Sequence, residues 1–309
     1  MAQLPRALWE IARVQESVLG RDQLLATMTA GALDAQVAAG RWQRPAPSVY
    51  VLHNGPLSVA QQWWVASLAV GPLAGRTALA SWGLQGWPSD HVEVLVRRGE
   101  HPHRPRGFPL LVHESRRFGD VDIHPARQPR RVRVERAAID AAAWTRQPRA
   151  ACGLLASIVQ QRLTSASRLA TCLSAAGAVR HAGLLRIVLQ DIEGGAQAMT
   201  EVDLGRICRR YGLLLERQVV RRDGQGRRRF VDARVKAPGG RSVLVEVDGA
   251  LHLVAMTYWA DMSRGNELVI ARANVLRFPS IALHIDEATV GDQLRRACGL
   301  SSVELPRAA

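Results

Sequence analysis

Apolar side chains in the first fifty-odd residues recur at helical spacing in three short runs. Leu4, Leu8, Ile11 and Val14 mark the first. Leu24, Leu25 and Met28, preceded by Leu19, mark the second. Leu33 and Val37 mark the third, after a Thr29-Ala30-Gly31 turn. Past Gly40 the pattern changes to Arg41-Trp42-Gln43-Arg44, a proline-containing bend and the apolar run Val49-Tyr50-Val51, which predicts the two strands of a hairpin. Three helices followed by a basic hairpin is the order of a winged helix-turn-helix, whose third helix can enter a major groove while the wing grips phosphate. Arg41 and Arg44 are then the nucleic-acid-binding candidates. Any small three-helix unit gives similar spacing, so plain helical packing stays open at this point.

From about Pro56 to Val134 the periodicity is mixed. Val59 to Val70 reads as a helix, whereas 91–96 and 109–113 read as short strands. Between about Ala137 and Glu193 the chain turns helical through Ile139, Leu154, Leu155, Ile158, Val159, Leu169, Leu173, Leu184, Leu185, Val188 and Leu189, with Thr164 as a capping residue. Gly194-Gly195 reads as the best boundary in the chain. Beyond it the pattern predicts a helix with Thr200 as N-cap and a stop at Tyr211-Gly212, then strands at 216–222, 228–235 and 242–247. A helix at 257–271 and a strand at 275–278 follow. A helix, a three-stranded meander, a crossover helix and a further strand make an α/β sandwich.

Composition sharpens this picture. All 41 basic residues except Lys236 are arginine, and the formal charge is +14. Forked, permanently charged guanidiniums suit a polyanion, nucleic acid before membrane surface, although an arginine-rich genome would produce part of the same bias. Cys152, Cys172, Cys208 and Cys298 are far apart, without metal spacing, and read as reduced core residues. The start of the chain lacks a signal-peptide core and no apolar run reaches about 18 residues. The expectation is a soluble, cytoplasmic protein with no membrane partner. His91, His101, His103 and His113 have no carboxylate or cysteine set beside them, so no metal site is assigned there.

The chemistry concentrates late in the chain. Asp232 lies on one predicted strand and Glu246 on its hairpin partner, and cross-strand neighbours sit about 5 Å apart. Two carboxylates that close repel unless a cation joins them. Mg2+, or Mn2+, fits because it takes hard oxygen ligands and keeps waters, one of which can become the attacking hydroxide. Asp248 follows two residues after Glu246, and the Val247 carbonyl between them could complete the metal shell. His252 is close enough to serve as general acid or base, and Glu201 could reach the centre from the opening helix. A Glu-x-Asp-Gly at a strand end is also a common exposed turn. Arg221, Arg222, Arg227, Arg228 and Arg229 flank a glycine turn and could track a nucleic-acid backbone, with a solvated charged turn as the alternative.

Two stretches resemble known families. The amino-terminal region, through Gly40-Arg41-Trp42, Val49-Tyr50 and the Arg76 to Leu84 segment, resembles the winged-helix region of AbiEi-type antitoxins, with Ser48 where that family commonly has glycine. The last hundred or so residues resemble very-short-patch-repair-like endonuclease domains of the PD-(D/E)xK superfamily. That likeness rests on Glu201, Arg217-Gln218, Val231-Asp232, Leu244 to Gly249, His252, Asp261, Arg264 and Val275-Leu276-Arg277-Phe278 in order and spacing. It implies that Asp232 and Glu246 bind a divalent metal, that Asp248 and His252 join the catalytic site, that Glu201 orients water or a second metal, and that Arg264 meets phosphate. The superfamily's lysine two residues after the second acid is Asp248 here, which leaves His252 as its substitute.

The resulting expectation is a multidomain α/β chain. It comprises a winged helix-turn-helix at 1–55, an AbiEi-like α+β region at 56–136, a helical connector at 137–195 and a restriction-endonuclease-like domain at 196–300. DNA is the expected partner, with magnesium-dependent phosphodiester hydrolysis as the activity. The alternative is a DNA-binding regulator or antitoxin-like protein with a degenerate nuclease fold and a nucleotidyltransferase-like toxin as cognate partner. Oligomeric state is not legible in the sequence.

Overall fold

Mixed α/β structure runs through the computed structural model, which describes residues 4–222, 228–239, 241–248, 275–280 and 282–302. Contacts divide the chain between Ala141 and Ala142 into two compact units.

Unit 1 opens with α1 (Arg6–Val14), β1 (Val18–Gly20), α2 (Arg21–Leu25), α3 (Ala30–Ala38), β2 (Gln43–Ala46) and β3 (Val49–Val51). The Thr29 hydroxyl accepts the Ala32 N–H at 3.3 Å and so satisfies one of the orphan donors that start α3. Gly40, at φ 65°, turns the chain out of α3 in a conformation that disfavours other residues. The strands form an antiparallel sheet in the order β1-β3-β2, with Leu19 opposite Tyr50 and Val18 opposite Val51. β1 is absent from the sequence expectation, which placed Leu19 only as a lead-in to a helix, because three residues are too few for alternation to register.

Every residue of β3 is buried. Tyr50 packs with Leu8, Ala12, Leu19, Leu24, Leu33 and Trp42 on the helix side. Val49 and Val51 pack with Val18, Ala46, Trp64 and Val65 on the other, the last two from α4 (Val59–Ala69). Ser58 and Gln61 form a capping box at the start of that helix. Unit 1 continues through α5 (Gly75–Ser81), the parallel pair β4 (Val92–Arg97) and β5 (Leu110–Ser115), and α6 (Val134–Trp144), which runs across the unit boundary.

Unit 2 contains α7 (Pro148–Gln160), α8 (Ala166–Ala175), α9 (Ala182–Gln190) and α10 (Ala196–Arg210). Ser165, rather than Thr164, caps α8 by accepting the Arg168 N–H. Gly194-Gly195, expected to break the chain, lies in a π-helical turn, Asp191–Gly195, that leads directly into α10. Thr200 is therefore inside that helix and not at its N-cap. Two glycines weaken a helix by only about 1 kcal/mol each, which the packing of flanking residues such as Leu189 and Leu204 can override.

After α10 come β6 (Leu214–Arg222), β7 (Arg228–Lys236), β8 (Ser242–Asp248) and β9 (Val275–Pro279), then α11 (Ala282–Ile285) and α12 (Glu287–Ala297). The sheet order is β6-β7-β8-β9, antiparallel except for the parallel β8-β9 pair. The expected helix at 257–271 lies outside the described residues. The core joins Leu204, Ile207, Cys208 and Tyr211 to Ala233, Val235, Val243, Val245, Leu276 and Phe278, with Val290 and Leu294 from α12.

Gly291 of α12 faces the buried Tyr211 ring so closely that a Cβ there would lie 2.3 Å from Cζ. Alanine would gain roughly 1 kcal/mol of helix propensity, but a contact that short cannot be relieved by a small shift of a packed ring. Gly291→Ala is therefore expected to be a net destabilisation of about 1–3 kcal/mol in urea unfolding. A more stable variant would show that the ring is not held against the helix.

Candidate functional site

Strand alternation gives the unit 2 sheet two unlike faces. Ala233, Val235, Val243, Val245, Leu276 and Phe278 go into the core. Some of the intervening positions carry charge: Arg234 pairs with Glu216 at 3.4 Å, and Glu246 Oε2 lies 3.0 Å from Arg277 Nε, while Leu244 and Val275 on the same face are partly buried. The Glu246 side chain is 31% exposed and Arg277 60%, so this pair is wet and contributes little to stability.

Ala233 pairs with Val245 across β7 and β8. The described pairing ends there; continued by one residue, that register would bring the backbone of Asp232 opposite Glu246. On the other side Glu246 pairs in register with Arg277, and Asp248 with Pro279. The side chains of Asp232, Asp248 and Glu201 lie outside the described residues, as do His252 and Arg264 entirely. Val247 is partly buried against the core at the same strand end. Among the described residues no group of three or more His, Cys, Asp or Glu side chains gathers closely enough to hold a metal. Glu246 and Val247 are thus the members of the expected centre that are described, and an arginine that the sequence places only in a resemblance motif stands beside Glu246.

On the β6-β7 hairpin, Arg221 pairs with Arg229 and Arg222 with Arg228, while Arg227 lies outside the described residues. Like charges directly across a sheet repel. The two arginine pairs occupy consecutive rungs, which belong to opposite faces of the hairpin.

The amino-terminal arginines have defined partners. Arg41 Nε donates to Gln36 Oε1 of α3 at 2.6 Å. Arg44 donates from Nε and Nη2 to the Pro47 carbonyl at 3.1 and 2.6 Å, and its guanidinium lies 5.3 Å from the Tyr50 ring centroid. Both side chains remain exposed.

Around the β4-β5 pair the structure brings together groups that the sequence reading left separate. Glu93, 3% exposed, accepts the Arg76 N–H at 2.6 Å and lies 3.2 Å from His91 Nε2, so it caps α5. The available signal was that 91 and 93 are two apart on an extended segment. Arg136 bridges Asp140 at 2.8 Å and Asp122 at 3.0 Å. Burial raises the Asp140 carboxyl to about 6 against the opposing pull of Arg136, with Asp122 and Glu93 adding to the rise. Burial, with His91 nearby, lowers His113 to about 4. In unit 2, the thiols of Cys152 and Cys208 are pushed up to about 12 by burial, which makes them inert packing groups. Cys172 is only partly buried, where the sequence reading had a core residue.

No family model matches the chain, and no curated protein matches it. Among solved structures, the crystal structure of RV2827C protein from Mycobacterium tuberculosis is similar at a TM-score of 0.40 and 15% identity, covering 61% of this chain and 76% of that one. A likeness of that degree does not extend to the chemistry of any site.

The buried acid and histidine of unit 1 have opposite effects on stability as pH changes. Asp140, raised in the fold from an ordinary 3.8 to about 6, contributes stability present at low pH and lost as pH rises through 6. His113, lowered from 6.5 to about 4, contributes stability present above 6.5 and lost as pH falls through 4. The two slopes oppose each other between these values. Asp140→Asn should therefore unmask the histidine: its calorimetric midpoint is expected to fall as pH drops from 6.5 toward 4, while the parent stays nearly level. Parallel profiles for the two proteins would contradict this.

Proposed function

We propose that this chain is a DNA-binding, metal-dependent endonuclease whose hydrolytic centre lies where the middle of β7 meets the carboxyl end of β8. The observation that carries the reading is the β7-β8 register, which pairs Ala233 with Val245 and, continued by one residue, would bring position 232 across from Glu246, on a sheet whose β9 strand runs parallel to β8. A preceding helix, an antiparallel meander and a parallel final strand also fit the restriction-endonuclease-like arrangement that the sequence resemblance implies. The donor chemistry suits a hard cation: Glu246 is reachable from solvent and the Val247 carbonyl adjoins it. Asp232, Glu246 and that carbonyl would hold Mg2+ or Mn2+, with Asp248 and His252 alongside and Glu201 approaching from α10. When bound, the ion supplies positive charge where the phosphoryl group becomes more negative. The chain's own part is to orient the phosphate through Arg264 and the Arg221, Arg222, Arg227, Arg228 and Arg229 hairpin, and to move a proton at His252. The amino-terminal region, with α3 followed by a hairpin carrying Arg41 and Arg44, has the element order of a winged helix and would hold the duplex.

One observation favours a second reading. The Glu246–Arg277 ion pair already neutralises the carboxylate that a metal would need. In that reading the sheet is a binding module and the protein a DNA-binding regulator or antitoxin-like protein, with a nucleotidyltransferase-like toxin as partner.

A plasmid-nicking assay separates the two. The endonuclease reading expects cleavage that requires Mg2+ or Mn2+ and falls by more than about a hundredfold in Glu246→Ala. It also expects Mg2+ to raise the thermal midpoint of the parent and not of that variant, since an ion that binds only the folded chain stabilises it. Cleavage equal in parent and variant would remove Glu246 from the centre. No cleavage with intact DNA binding would leave the second reading.

A further inference from the structure

We propose that the groove between the β2-β3 hairpin and the segment 101–106 is a seat for the phosphodiester backbone of duplex DNA, held by Arg44, His103, Arg104 and Arg106. The inference rests on the reading of the chain as a DNA-binding protein and is independent of whether it cleaves.

The groove has a volume of about 370 Å³, and its lining is Arg44, Pro45, Ala46, Pro47, His103, Arg104 and Arg106. That is three guanidiniums and an imidazole with no carboxylate. Pro45 and Ala46 are buried and form an apolar floor, while the four basic side chains are exposed around it. Among the described residues none of the four enters an ion pair, although arginines elsewhere in the chain such as Arg136, Arg149 and Arg206 are matched to acids. Apolar floor and basic rim suit a sugar-phosphate chain, whose deoxyribose offers apolar surface between charged links.

Both walls are fixed before any ligand arrives. The Arg106 N–H donates to the Pro45 carbonyl at 2.9 Å, fastening the segment to β2, an edge strand of its sheet. Two residues on, Phe108 packs against the cluster of Val18, Ala46, Val49 and Val51. Arg44 spends two of its N–H groups on the Pro47 carbonyl and rests near the Tyr50 ring. A guanidinium has five such donors, so three remain on a side chain whose rotamer is already set. Less ordering entropy is then lost when it meets a phosphate. Because the segment lies some sixty residues beyond the hairpin in sequence, periodicity could not have joined them.

The test is fluorescence anisotropy of the full chain with a labelled DNA duplex and EDTA present, so that cleavage plays no part. Arg104→Ala/Arg106→Ala is expected to weaken binding at least tenfold and to flatten the log affinity against log salt slope by about 1.8, the loss of two phosphate contacts. The loss should be equal for two unrelated sequences, and Arg104→Lys/Arg106→Lys should restore most of it. The charge-matched Arg168→Ala/Arg180→Ala, two exposed arginines of unit 2, should change binding far less. Should the double alanine variant melt early, Arg104→Gln alone reads out the same effect at half the slope change. Parent-like affinity and slope in a folded variant would overturn the seat while leaving DNA binding in place. Inorganic phosphate competing as well as DNA at equal phosphate concentration would make the groove a small-anion pocket and also overturn it. A parent chain that binds no duplex would remove the DNA-binding reading itself.

Discussion

The pairing of β7 with β8 is the constraint on which unit 2 depends. A strand shifted by one residue exchanges its two faces. Such a shift of β8 would expose Val243 and Val245, which are 2% and 0% exposed, and would drive Glu246 among Leu276, Phe278 and the helices. Burying an unpaired carboxylate there costs several kcal/mol, as does withdrawing two valines from the core, at roughly 1.5–3 kcal/mol each. The core and the charged face are thus set by one register. The position of Glu246 relative to Arg277 follows from apolar burial, with no help needed from the charges themselves.

Unit 1 is organised by a similar economy of strand positions. β3 has three residues, and all are buried because helices cover it on both sides. Tyr50 faces one cluster and its neighbouring valines the other. Arg44 then uses the edge of the same hairpin, resting on Tyr50 and the Pro47 carbonyl. Charge at the surface is therefore positioned by packing underneath.

Long periodic runs were legible in the sequence: α1, α3, α4 and the strands β6 to β8 stand within a few residues of where apolar spacing put them. What escaped were features set by tertiary contact. β1 is too short to show alternation, and Gly194-Gly195 looked like a break because glycine weighs on local propensity and not on packing. Of the expected site, Glu246 was legible as an outward strand position, but Arg277 at 3.0 Å was not, because β8 and β9 meet through a parallel pairing between residues distant in sequence. Glu93 and Asp140 were passed over for the same reason, since no spacing rule reports that a carboxylate on β4 lies near one on α6.

The double coverage of β3 has one further consequence. Val18, Val49 and Val51 are sealed by Trp64 and Val65 of α4, which begins at Val59. A fragment trimmed after the hairpin, near residue 55, would leave those valines in water. The hairpin and the helix that follows it make one inseparable hydrophobic seam, and any tilt of the arginine-bearing strands must be carried by the helix at their back.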